Sequence, residues 1–422
     1  MKIVSHWQPE QDGCIIGAVF ERKRRFPLKR IVLAFTVLLL LGAWGQAQTF
    51  TTLYNFTGGS DGGVPFAGVI QDQAGNLYGA TYYGGDLSCQ PPKGCGVVYE
   101  VSTAGTETVL HTFTGPPSDG AFPNAALVRD SNGNIYGTTW LGGSGCEPYG
   151  CGTVFKIDTA ETETVLYNFT GKSDGCNPSQ GMILDGSGAL FGTTLDCGSF
   201  NNKGTIFKID SAGKFTVLHG FTGSDGANPA YGYLSMDKSG NLYGVTTSGG
   251  LFDYGELYKL SKGGQLTVLH SFRRDRDIRD GYSPYGSAVL DEAGNIYGTT
   301  NDGGSHFAGT IWKVSKKGKE TILSDFGWGA RGCHPPASLT RGSNGNLYGI
   351  TDRCGASHEG TLYELSAKGK LTLLHSFNGP DGKYPIDEVL WTVNGTLFGI
   401  TEEGGSGDCN GSGCGTVWKY VP

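Results

Sequence analysis

The chain has 422 residues, 38% hydrophobic and 17% charged, with 72 glycines and a formal net charge of −7. An acidic surface repels nucleic acid and anionic lipid, so neither is an expected partner. The length exceeds what one hydrophobic core usually serves, and so many glycines imply many tight turns.

The first 47 residues stand apart. Arg22, Lys23, Arg24, Arg25, Lys29 and Arg30 form a basic region, Ile31 to Leu41 an apolar run, and Gly45-Gln46-Ala47 a small-residue end. This pattern predicts a secretory signal peptide over 1–47, cleaved after Ala47. Eleven apolar residues fall short of the roughly 20 that a membrane span needs. The segment holds seven of the Lys/Arg and three of the Asp/Glu, so the mature chain keeps 25 basic against 36 acidic residues, a net of −11. Cys14 leaves with the signal. The ten remaining cysteines fall into matched pairs, which predicts five local disulfides formed outside the cytoplasm. The pairs are Cys89 with Cys95, Cys146 with Cys151, Cys176 with Cys197, Cys333 with Cys354, and Cys409 with Cys414. No pair has common zinc-site spacing, and no metal or cofactor is expected.

The mature chain opens with a strand, Phe50 to Phe56 (FTTLYNF), and then repeats itself. Gly-Asn-Leu/Ile-Tyr-Gly recurs at Gly75, Gly133, Gly240, Gly294 and Gly345, and in worn form at Gly188 and Gly395, in steps of 50 to 58 residues. Such a period marks supersecondary units that stack to bury their apolar faces. In the second unit, Asn124 to Asp130 reads as a first strand and Ser131-Asn132-Gly133 as a turn. Asn134 to Trp140 reads as a second strand, Thr153 to Asp158 as a half-buried third, and Glu163 to Phe169 as a fourth. The chain ends on Thr416 to Val421, a third strand, so the N-terminal strand completes the seventh unit. The expected fold is all-β: residues 48–422 form a seven-bladed β-propeller of four-stranded antiparallel blades, closed by that clasp. The first strand of each blade is expected innermost. It carries small residues at Ala67-Gly68, Ala125-Ala126, Gly181, Gly232, Ser287-Ala288 and Ala337-Ser338.

Three phrases, D-G-x-x-P, G-N-L/I-Y-G-T-T and G-T-V/I-F-K-I, resemble the Gloeo/Verruco (GloVer) tandem repeat of secreted bacterial proteins, over essentially all of residues 50–422. The resemblance implies an exported propeller, often with an anchoring tail. The sequence ends directly after its last strand, so no such tail is expected. The D-x-x-G-N-L/I-Y stretch also resembles NHL-type propellers. Gly-Thr-Thr follows here in place of Val-Ala-Asp, so a lactonase metal site is not carried over.

The D-G-x-x-P acids, Asp61, Asp119, Asp174, Asp225, Asp280 and Asp381, read as turn residues, or as a ring of acids round the channel mouth. His111, His219, His270 and His375 share one fourth-strand position with Tyr54 and Tyr167, an interchange that reads as packing. Positions that break the repeat point to a site. The sixth unit has Arg331 for the usual Asp, with His334 in the same loop and Asp352, Arg353, His358 and Glu359 after its second strand. His306 and the charged loop Arg273 to Asp280 lie close by in sequence logic. Loop aromatics Tyr82, Tyr83, Trp140, Tyr149, Phe200, Phe252, Tyr254, Phe307 and Trp328 offer flat contact area for a sugar. The leading function is a monomeric binding or surface-interaction module that engages a glycan, cell-wall fragment, peptide or protein through these loops. An alternative is a carbohydrate- or lactone-type lyase or hydrolase using His334, His358 and Asp352, with Arg331 or Arg353 holding an anion. A purely structural envelope protein is the third reading.

Overall fold

The repeated phrases become strands because each alternates β-branched or aromatic residues with glycine turns. The structure, a computed structural model, describes residues 48–200, 202–229, 232–274 and 280–422. The predicted signal peptide over 1–47, with Cys14, and the loop residues Asp275, Arg276, Asp277 and Arg279 lie outside them. Among the described residues, seven antiparallel sheets follow one another along the chain as the seven blades of a propeller. Blade 2 is typical: Val128–Arg129, Ile135–Thr139, Thr153–Ile157 and Glu163–Asn168, paired in that order. Blade 7 takes Lys383–Trp391, Leu397–Glu403 and Thr416–Val421 from the end of the chain and Thr49–Asn55 from its start. Thr49 pairs with Val421 and Asn55 with Thr416, which closes the ring. No helix among the described residues is long and apolar enough to cross a membrane.

The core lies between blades, not within them. Each third strand carries one aromatic, Tyr99, Phe155, Phe207, Tyr258, Trp312, Tyr363 or Trp418, with no more than 1% exposure. Its ring covers the second-strand glycine of its own blade, as Trp312 covers Gly298, where any Cβ would overlap the indole. It also meets the phenylalanine that ends the preceding blade, from Phe56–Tyr99 at 5.0 Å to Phe377–Trp418 at 5.8 Å. Burying each such side chain contributes roughly 2–3 kcal/mol, repeated seven times round the ring. The third strand was expected to be half-buried. Instead only its lysine or glutamate keeps exposure, because a blade covers each face. The first strand is also shorter than expected: Val128–Arg129 pairs, whereas Asn124 to Leu127 runs inward outside the ladder.

The phrase D-x-x-G-N-L/I-Y is one hydrogen-bonded unit. Asp130 accepts from Asn134 N at 2.9 Å, Asn134 Nδ2 at 2.7 Å and Tyr136 Oη at 3.1 Å. All five disulfides form as paired from the sequence. Cys89 bonds to Cys95, Cys146 to Cys151 and Cys409 to Cys414, each within one loop between second and third strands. Cys176 bonds to Cys197 and Cys333 to Cys354, each tying the loop that enters a blade to the loop after its second strand.

Candidate functional site

Each D-G-x-x-P phrase ends by fastening one blade to the one before it. The residue ahead of the proline adopts a left-handed backbone in every unit, from φ 52° at Ser283 to 59° at Phe122. Its N–H donates to the preceding blade, as Phe122 N to Cys95 O at 2.8 Å and His334 N to Ala308 O at 2.7 Å. The proline ring then packs on the glycine that opens the preceding third strand, Pro335 on Gly309 and Pro65 on Gly415. With the backbone held on both sides, the residue after the proline points to the axis. Phe66, Asn124, Ser179, Tyr285, Pro336 and Ile386 occupy that position in six blades and line one cavity of about 350 Å³. Tyr82 and Trp140 add aromatic faces to it. Asn124 Oδ1, Ser179 Oγ and Gln180 Nε2 are buried without a hydrogen-bond partner, a costly condition for polar atoms.

Two exceptions to the small-residue rule form the cavity floor. In six units the residue that follows the first strand lies seven positions after the repeat proline, as Asp72 does after Pro65; in the fourth, Asp237 lies eight after Pro229. The extra residue brings Tyr233, not Gly232, level with Gly68, Gly181, Ser287 and Ser338. In the seventh unit the small pair is replaced by Asp387-Glu388. Tyr233 Oη donates to Asp387 across the axis, and Gly68 N donates to the same oxygen at 2.5 Å. Tyr233 N donates to Ser287 Oγ at 2.5 Å, and Ser287 N to Ser338 Oγ at 2.9 Å. Gly181 leaves room for the Tyr233 ring. The Tyr233–Asp387 pair is thus a bolt between this cavity and a lower one of about 460 Å³ that Glu388 lines. Burial raises the Asp387 carboxyl. Burial, and then the charge of Asp387, push Glu388 up to about 7, so burial raises both of these adjacent carboxyl groups.

The sixth-blade residues divide into two groups. Arg331 and His306 are exposed and share an outer cavity of about 400 Å³ with Trp328 and Asp325. Trp328 Nε1 donates to His306 O at 3.0 Å. His334 lies between the two groups, its ring meeting Trp328 edge-on at 4.9 Å. Its Nδ1 lies 3.0 Å from Asn301 O and 3.4 Å from Asp302 Oδ1, and the Asp302 bond raises its pKa. The disulfide from Cys333 to Cys354 holds this loop against the next, with Asp352 N donating to His334 O at 3.3 Å and Arg353 Nε 3.6 Å from Asp352 Oδ2. Burial pushes Asp352 up to about 6. His358 is exposed on the far part of the loop, and Glu359 accepts Tyr384 N through its backbone.

The repeat aspartates do not ring the channel mouth. They sit at the outer joints, where the fourth strand of one blade runs into the next. Tyr54 and Tyr167 donate to Asp61 and Asp174 at 3.0 Å. His219 and His375 meet Asp225 and Asp381 at 3.0 and 2.8 Å. The histidines therefore do more than pack, and tyrosine replaces them because its hydroxyl makes the same bond. Despite the cost of burial, the His219 and Thr222 hydrogen bonds hold Asp225 down to about 2. Arg331 fits this logic too: the residue at its joint's histidine position is Ser324, so both halves of the pair change together. A glutamate stands at three joints: Glu107 beside Tyr54 and Asp61, and two that join a histidine, giving His111–Asp119–Glu163 and His270–Asp280–Glu320, each with one ligand-type atom per residue within 4.8 Å of the others.

No curated protein matches the sequence. Among solved structures, the chain is similar to the extracellular domain of the one component system BT4673 from B. thetaiotaomicron, with TM-score 0.55 and 11% identity. That match covers 88% of this chain and 40% of the other, so this chain spans two fifths of the neighbour's length. It is also similar to a Bacteroides uniformis protein named for 6-phosphogluconolactonase, with TM-score 0.48, 16% identity, and 74% and 84% of the two chains covered. These identities speak to the fold alone. The model of the Gloeobacter/Verrucomicrobia repeat matches residues 43–201 and 178–418. With that match over a seven-fold scaffold of its phrases, the chain belongs to the Gloeobacter/Verrucomicrobia repeat family.

Proposed function

We propose that this protein is an exported binding module whose axial cavity takes a small polyhydroxylated ligand, such as a glycan or cell-wall fragment. Five disulfides in matched loops support export. The observation that carries the ligand class is the cavity lining. Aromatic faces of Phe66, Tyr82, Trp140 and Tyr285 surround buried polar atoms of Asn124, Ser179 and Gln180 that lack partners. A sugar presents flat C–H faces for the former and hydroxyls for the latter. In this reading the ligand sits at the axis and not on the sixth-blade loops.

A catalytic reading has one observation in its favour, the Asp387 carboxyl on the cavity wall, its proton affinity raised by burial, suited to general acid–base work on a glycoside or lactone. The test is calorimetry of the oxidised, signal-free protein against a panel of soluble oligosaccharides and muropeptides, with product analysis of each mixture. A binder whose affinity falls at least about tenfold in Trp140→Ala and Asn124→Ala supports the axial site. Conversion of that ligand, abolished in Asp387→Asn while binding is kept, selects the enzyme. Binding that survives both cavity variants rejects the proposal.

A further inference from the structure

Where blade 4 hands over to blade 5, His270 on one fourth strand, Asp280 in the turn and Glu320 on the next fourth strand converge. We propose that this joint is a divalent-cation site with one imidazole and two carboxylate ligands, suited to Zn²⁺ or Mn²⁺. It lies at the rim, apart from the axial cavity, and stands independently of the ligand proposed there.

The argument begins with spacing. His270 Nε2 is 3.5 Å from Asp280 Oδ2 and 3.6 Å from Glu320 Oε1. Those separations are long for hydrogen bonds. They match the roughly 3–3.6 Å between ligands that each stand about 2.0–2.2 Å from one ion. The repeat supplies its own controls. At the equivalent joints without the third acid, His219–Asp225 and His375–Asp381 close to 3.0 and 2.8 Å. Leu266 and Phe50 stand there in place of the glutamate, and Phe50 stacks on His375 at 3.7 Å. The glutamate therefore accompanies the opening of a direct pair into a triangle.

The second argument is that, beyond their mutual ion pairs, the groups lack close hydrogen bonds. The Asp280 side chain is 1% exposed, and its Oδ1 has no hydrogen-bond partner. Neither His270 Nε2 nor Glu320 Oε1 has one. A buried carboxylate in that condition is expensive, and a bound cation relieves three such groups at once. Arg273 and Glu256 are the other charged groups that act on the triangle. His270 and Glu320 keep 18% and 20% of their side-chain surface, which leaves an approach from solvent and room for water in the remaining coordination positions.

The matching triangle at His111, Asp119 and Glu163 is a weaker candidate. Its histidine and aspartate are 3.3 Å apart, and Asp119 accepts from Thr114 N at 2.8 Å and Gly120 N at 2.6 Å. Its lone pairs are already engaged, so it serves as the internal comparison.

The test uses the full mature chain, oxidised and stripped with chelator. Zn²⁺ and Mn²⁺ are titrated by calorimetry at pH 7.5, and retained metal is counted by mass spectrometry after gel filtration. The expected result is one tightly held ion per chain, with affinity lowered by at least about tenfold in Glu320→Gln and in Asp280→Asn, and unchanged in Glu163→Gln. Asp280 also shapes the turn, so should Asp280→Asn misfold, Glu320→Gln carries the result. No retained metal in the wild type overturns the proposal. So does affinity that survives Glu320→Gln, or is lost in Glu163→Gln instead.

Discussion

Replacing Glu388 by glutamine removes a carboxyl group that the propeller holds on its axis at about 7, well above the ordinary 4.5. Burial is the main cause and the charge of Asp387 the next. A raised carboxyl means that the folded protein keeps a proton which the unfolded chain releases. The folded state is then favoured below pH 4.5, and that advantage is lost as pH rises towards 7. A shift of about 2.5 units at about 1.4 kcal/mol each amounts to at most about 3.5 kcal/mol. Glu388 keeps some surface towards the lower cavity, so about 2 kcal/mol is a fairer expectation. Urea midpoints of wild type and Glu388→Gln, measured between pH 4.5 and 8.5, should converge at the acid end. They should then separate as pH rises, with the glutamine variant the more stable. Other raised acids, such as Glu107 and Glu402, give both proteins a common slope that cancels in the difference. Parallel curves across that range would show that Glu388 titrates like a solvated acid, and would refute the reasoning that the axis is desolvated.

Two further outcomes test the scaffold. Gly309→Ala should destabilise by about 1–3 kcal/mol from the backbone alone, since Gly309 has φ +96°. The new Cβ would also lie 2.5 Å from Pro335 Cδ, so a urea midpoint within error of wild type would remove the proline lock from the account. His375→Phe should cost about 1–2 kcal/mol by leaving Asp381 Oδ2 without its donor, while Asn378 N still serves Oδ1. His375→Tyr should cost under about 1 kcal/mol, because Tyr167 makes the same bond to Asp174 and stacks on Phe215 at 3.8 Å as His375 stacks on Phe50. Equal losses in the two variants would mean that ring packing, not the hydrogen bond, is what counts.

Much of the architecture was legible because its causes are local and repeated. Asp130, Asn134 and Tyr136 sit within one turn of chain, so their shared hydrogen bonds leave a fixed spacing in the sequence. Cys146 and Cys151 lie in one loop, and the strand from Thr49 to Asn55 has the composition of a fourth strand. The axial site left a fainter trace. The residue after the repeat proline changes freely, from Phe66 to Asn124 to Ser179, inside a phrase that otherwise hardly changes. That variation inside a rigid frame was the available signal, together with Asp387-Glu388 at a small-residue position. The extra residue before Asp237 hid Tyr233, because matching the units by their glycines aligns Gly232 instead. The sixth-blade residues were grouped by nearness in sequence, whereas the structure sets the His334 ring between Asp302 of the preceding blade and Trp328.

By itself the sequence determined the period, the four-strand unit, the disulfide pairs and the clasp, since each depends on contacts within a unit or between matching ends. Which side chains face one another across the axis, and which joints gather a histidine with two acids, depends on residues some 50 or more positions apart. Only closure of the ring brings those residues together. Tyr233 and Asp387, 154 residues apart, meet because seven blades must share one axis.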